Sequence, residues 1–189
     1  FDVEGVANTE EQLIKRYRDI SMYADIDTAI EDIVNDSISN LDDEKPVTID
    51  TDGVPASTAV KKAIADEFEN VLSLMDFNNR AQDYYRRWYI DGRIYFHKVV
   101  DKTNPRKGLH DFRYIDPRKI KKVRDVKKEK DPKTGVSMVK EVKEYFIYDD
   151  KGIANKPGQY KAGNANDKSL KISKDAVTYI PSGLLDQDK

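Results

Sequence analysis

Residues 77–101, FNNRAQDYYRRWYIDGRIYFHKVVD, constrain this chain more than any other stretch. In 25 residues they hold the only Trp (Trp88), four Tyr (Tyr84, Tyr85, Tyr89, Tyr95) and two Phe (Phe77, Phe96). Aromatic side chains bury the most area per residue, so a core is expected to form here. The apolar period changes from helical to alternating at Asp91-Gly92, which predicts a helix running directly into a strand. Asn78 or Asn79 is the expected helix start, both being good caps. Tyr84 with Trp88, and Tyr85 with Tyr89, pair at i, i+4 on one broad face. Tyr84, Tyr85, Trp88, Tyr89 and Phe96 are therefore the expected core. In the strand, Ile94 and Phe96 point one way and Tyr95, His97 and Val99 the other. Large groups on both sides predict cover on both faces.

Upstream, the pattern is helical. Thr9-Glu10-Glu11-Gln12 has the form of a capping box, followed by Leu13, Ile14 and Tyr17. A second helix is expected from Asp25 or Asp27, with Ile26, Ala29, Ile30, Ile33, Val34 and Ile38 on its apolar stripe. After the acids Asp42-Asp43-Glu44, residues 47–50 resemble a short strand. Ser57 caps a third helix bearing Val60, Ala63, Ile64, Phe68, Val71, Leu72 and Met75, whose Lys61 and Lys62 sit at the end least favourable for positive charge. Downstream, strands dominate. Residues 112–115 form the first, and Asp116-Pro117 turns the chain into a long basic hairpin. Residues 131–135, DPKTG, are its tip. On its return strand, Val136, Met138, Val142, Phe146 and Tyr148 are expected on one face. Residues 155–169 read as a loop, and residues 170–173 and 177–180 as short strands. Helices first and strands later predict an α+β fold, with N-terminal helices on a mainly antiparallel sheet. Residues 1–76 supply the helical part, and residues 77–189 the helix–strand unit and β-rich part of the same domain.

Chemistry-bearing patterns are sparse. The nine Gly are scattered and make no phosphate loop. There is no nucleophile elbow and no HExxH. His97 and His110 lack a second ligand at metal spacing. The absence of Cys removes disulfides, thiolate metal sites and Cys nucleophiles. No catalytic residue, metal or cofactor is expected. No apolar run approaches the roughly 20 residues of a membrane-spanning helix. The 33 basic and 35 acidic residues nearly cancel, so bulk charge gives no argument for nucleic-acid binding. The basic hairpin 118–133 does, through Lys121, Lys122, Arg124, Lys127 and Lys128, since a basic ribbon can track phosphates. Against that stand the diluting acids Asp125, Glu129 and Asp131, and the lack of interleaved aromatics. The chain starts at Phe1 rather than Met, which suggests a piece of a longer protein.

Residues 86–101, RRWYIDGRIYFHKVVD, resemble a stretch of the portal-vertex proteins of T-even-type, contractile-tailed bacteriophages. Colinear pieces agree: Arg16-Tyr17-Arg18, residues 23–34, Tyr114-Ile115-Asp116-Pro117-Arg118, residues 143–149, residues 176–179 and Ser182-Gly183-Leu184. The resemblance implies a non-enzymatic subunit of a dodecameric ring at one capsid vertex. Such rings nucleate head assembly, dock terminase, pass double-stranded DNA in and out, and carry the neck and tail. The expected location is the virion's portal vertex after assembly in the host cytoplasm, with major capsid protein as a further partner and no stable membrane insertion. This segment resembles the wing, the part facing neighbouring subunits and capsid. A ring repeats one heterologous interface until it closes. Arg80, Arg86, Arg87 and Arg93 are then the candidates for contacts beyond the domain, since Arg is enriched at interfaces.

Overall fold

A computed structural model describes residues 10–38, 45–101, 103–130, 137–153 and 169–183, with backbone alone at residues 105, 128 and 130. Among the described residues four α-helices, α1 (Glu10–Ile20), α2 (Ala24–Ser37), α3 (Thr58–Leu74) and α4 (Phe77–Asp91), precede six strands. The strands are β1 (Arg93–Val100), β2 (Leu109–Ile115), β3 (Ile120–Lys130), β4 (Ser137–Tyr148), β5 (Leu170–Ser173) and β6 (Val177–Pro181). The expected α+β order holds, and the strands divide into two antiparallel sheets, β2-β1-β6 and β3-β4-β5.

Strand β1 is the hinge of the architecture, and both of its faces are covered. Ile94 and Phe96 pack with Tyr84 of α4, flanked by Met75, Phe77, Trp88, Phe112 and Tyr114. The next residue along, Tyr95, faces the other way into a second core with Ile115, Ile120, Phe146 and Val177. Alternation along a single strand thus joins the helices on one side to the second sheet on the other. Tyr95 is 1% exposed and stacks on Tyr179 at 4.8 Å. Tyr84 meets Phe96 edge-on at 5.2 Å and donates its hydroxyl to the Met75 carbonyl at 3.0 Å.

Helix α4 starts at Phe77, not at Asn78 or Asn79. Asp76 precedes it with φ 49°, a left-handed residue between α3 and α4. Asn79 instead donates to the Asp76 carboxylate at 2.7 Å. Gly92 ends the helix at φ 70°, and the strand begins one residue later. Ser57 caps α3 as expected, accepting from the Val60 amide. Lys61 donates to the Asp52 carbonyl at 3.2 Å, which holds a cation at this helix end. Of the α3 stripe only Leu72 is fully buried, and Val60 and Ile64 are exposed. Residues 47–50, expected as a strand, form none, and no described strand pairs with them. Strand β2 is longer than expected, and Pro117–Lys119 is a short 3-10 turn.

The hairpin β3–β4 is paired from Ile120 opposite Tyr148 to Lys130 opposite Ser137. An irregularity between Lys127 and Lys128 places Met138 opposite Glu129 and Val139 opposite Lys128. Met138 therefore leaves the face shared by Val142, Phe146 and Tyr148, contrary to simple alternation. The base is buried at Tyr145, Phe146 and Ile147, and residues 137–143 are exposed. The Thr9 capping box, the acids at 42–44, the hairpin tip at 131–136 and the bulk of the 155–169 loop lie outside the described residues.

Candidate interface surfaces

Helix α1 is held to the body by charge at both ends. Near its C-terminus, Arg18 donates from Nε to Asp91 Oδ1 at 2.8 Å and from Nη2 to Asp91 Oδ2 at 2.6 Å. The same guanidinium reaches Asp116 at 3.1 Å and 3.3 Å. Arg118 donates to Asp116 as well, at 2.8 Å from Nη2 and at 2.9 Å from its backbone amide. At the other end of α1, Glu10 meets Arg93 at 3.2 Å. Asp91 is the last residue of α4 and is buried, so its anion sits at the negative end of the helix dipole. Such a carboxylate needs a compensating cation, and the fork of Arg18 supplies one in bidentate geometry. Burial pushes the Asp116 carboxyl up, but the bonds from Arg118 and Arg18 outweigh it and hold the group well below the usual carboxylate range.

The four arginines suggested by sequence are engaged within the chain. Arg93 is 8% exposed and committed to Glu10, so it ties α1 to β1 and does not present itself at the surface. Arg86 bonds Asp27 at the start of α2. Arg87 pairs with Asp83 at 2.9 Å and lies over the Tyr114 ring at 5.0 Å. Arg80 lies over Tyr84 at 4.9 Å. Tyr84 and Phe96 are buried, while Tyr85, Trp88 and Tyr89 are half-buried. Tyr85 accepts from Ser37 at 3.0 Å, so this edge of α4 seats α2.

Two surfaces remain conspicuous. The first is α2 with the corner before it. Met22 and Tyr23 are 81% and 67% exposed, and Ile26 and Ala29 are exposed too. The helix carries five acids (Asp25, Asp27, Glu31, Asp32, Asp36) and no base. Periodicity alone put Ile26 and Ala29 in the core; the stripe is broader than α4 can cover. The second is the ribbon. Its strand β3 holds Lys121, Lys122, Arg124, Lys127, Lys128 and Lys130 against Asp125 and Glu129. Cross-strand pairs Lys122–Glu144 (3.7 Å), Lys127–Glu141 (3.6 Å) and Lys140–Glu129 (2.6 Å) partly neutralise it. Val126 faces Val142 across the ladder, and both are exposed, as is Val139. The side chain of Lys128 is outside the described atoms.

A groove of about 690 Å³ opens at the edge between the two sheets, with His97, Arg113, Arg118 and Lys119 on its walls. Its cations have carboxylate partners: Arg113 with Asp111 at 3.0 Å, Arg118 with Asp116, and Lys119 with Asp150 at 2.8 Å. Among the described residues no group of three or more His, Asp or Glu is gathered to hold a metal ion. No described helix is long and apolar enough to cross a membrane. Sequence reasoning missed the Arg18–Asp91–Asp116 junction. One signal was visible: an Asp at the C-terminal end of a helix is unfavourable unless something pays for it.

Residues 10–189 match the family model described as Bacteriophage T4-like portal protein (Gp20). The portal protein of Vibrio phage KVP40 is 35% identical over 182 residues, covering 96% of this chain and 34% of that protein. The portal protein of Salmonella phage ViI is 31% identical over 186 residues, covering 96% of this chain and 33% of that protein. The chain spans about a third of the length of these curated relatives.

Proposed function

The chain belongs to the bacteriophage T4-like portal protein family, and from that premise we propose that it forms the wing of a portal subunit. In this reading the subunit closes into a dodecameric ring at the unique capsid vertex. The complete ring passes double-stranded DNA, docks terminase, carries the neck and tail and meets the major capsid protein. Assembly takes place in the host cytoplasm. Residues 1–76 and 77–189 act as the helical and β-rich parts of one wing. The carrying observation is the family match, which runs through α1–α4 and both sheets with no described element left outside it. The curated relatives bear the name of a structural protein, and no catalytic role is assigned to this chain.

The test is electron microscopy of the full-length protein and of the virion. Closed rings of about twelve subunits, located at one vertex, are expected. Monomers at every concentration, or rings absent from the particle, would sink the proposal. The second reading, phosphate tracking by the ribbon, predicts DNA affinity that drops steeply with salt and with neutralisation of Lys121, Lys122, Arg124, Lys127 and Lys128. The cross-strand carboxylates weaken it, because each ion pair competes with a phosphate for the same cation.

A further inference from the structure

Charge in this chain is close to balanced overall but segregated locally. Helix α2 has five acids and no base, and strand β3 has six Lys and Arg against two acids. On α2, Asp25, Asp32 and Asp36 fall on one line at i, i+7 and i+11, and all three are exposed. Ile26, Ala29 and Ile33 form the adjacent line at i, i+3 and i+7. Ile26 and Ala29 are exposed and Ile33 is half-buried. The distal ribbon repeats this pairing with the opposite sign. Arg124 and Val126 lie on β3, with Val142 opposite Val126 and Val139 opposite Lys128 on β4.

Lengths match as well. At 1.5 Å per residue α2 is about 20 Å long. The exposed end of β3, residues 124–130, is also about 20 Å at 3.3 Å per residue. Within one chain α2 packs on α4, and the ribbon strands pack mainly on each other. An apolar line beside a row of acids therefore faces outward at one place, and three exposed valines beside Arg124, which has Glu144 opposite it, at another. Such self-complementary but distinct surfaces make a heterologous contact between copies.

Resting on the ring reading above, we infer that the distal ribbon of one copy lies along α2 of the next. Val126, Val139 and Val142 cover the Ile26–Ala29 line, and Arg124 faces the row of Asp25, Asp32 and Asp36. The acidic α2 and the basic ribbon are then the two halves of one repeated joint.

These 189 residues contain no Cys, and the unmodified full-length protein run alongside reports any thiol that lies elsewhere in it. In the full-length protein, Ala29→Cys and Val126→Cys are made singly and together, and each preparation is oxidised and run on non-reducing gels. The double variant is expected to give a ladder of covalent oligomers, and each single variant to remain monomeric on the gel. Rings by microscopy without a ladder would overturn this contact while leaving the ring reading intact. Covalent dimers from a single variant would also overturn it, since they mark a symmetric pairing of like surfaces. Absence of rings in the unmodified protein would remove the ring reading and this contact together. A second measurement guards against thiol placement. Asp25→Lys/Asp32→Lys is expected to lower ring yield at least tenfold, and adding Arg124→Glu to the same chain to restore part of it. Unchanged yield in the first variant, or no recovery in the second, counts against the contact.

Discussion

Asp91 shows how much one residue can demand of its surroundings. It is almost wholly buried, it carries a charge, and it closes α4 at the end where the helix dipole is negative. Arg18 is therefore part of the fold, although 73 positions separate the two in sequence. Asp91→Ala leaves the Arg18 guanidinium with Asp116 alone. The expected loss is about 3 kcal/mol, the low end for breaking a buried pair, because Arg18 keeps part of its side chain in water and retains one partner. Urea unfolding of the two proteins measures it. Asp116 adds a pH dependence. Its native carboxyl titrates well below the usual range, while an unfolded Asp takes up its proton near pH 4. Below about pH 4 the unfolded state binds a proton here that the native state does not, so stability falls as pH falls. The stabilisation is present in full above that pH. Asp116→Asn is expected to flatten this acid limb in urea midpoints taken from about pH 6 to about pH 2.

At the scale of elements, α4 and β1 act as one unit because almost nothing separates them. Gly92 is the only residue between helix and strand, with φ 70°. Its carbonyl accepts from the Ser182 amide at 2.8 Å, so the bend also anchors the chain just beyond β6. A side chain here forces an L-residue into the left-handed region. Gly92→Ala is expected to cost about 1–2 kcal/mol in equilibrium unfolding. The ribbon follows a different rule. Its base is held by Tyr145, Phe146 and Ile147, while the described part of its distal half has ladder bonds, exposed ion pairs and exposed valines. Exposed ion pairs of this kind contribute little stability each. The ribbon's outer length thus leaves Val126, Val139 and Val142 exposed.

For the whole molecule, the decisive fact is that one strand carries two cores. Phe96 looks to the helices and Tyr95 to the second sheet. Removing the Tyr95 ring deletes the stack on Tyr179 and the edge contact with Phe146 in one step. Tyr95→Ala is expected to cost about 3–5 kcal/mol, by analogy with large aromatic truncations in closed cores. It should also loosen β3–β5 from the rest, seen as faster amide exchange in the second sheet. Family membership assigns this fold to a portal subunit.

The sequence by itself determined most of the local elements and their order, residues 47–50 excepted. The period change at Asp91-Gly92, the Ser57 cap and the alternation along β1 are short-range properties, set by backbone geometry and side-chain spacing. It also carried the family, through pieces spread along the whole chain. Only the tertiary structure decided which strands share a sheet: β5 and β6 are separated by three residues yet join different sheets. It also decided which half of the α2 stripe is covered, and that Arg93 is spent on Glu10. Those outcomes depend on long-range packing and on pairing charges far apart in sequence. Spacing cannot encode that, because a period reports which residues share a face and not what lies against it.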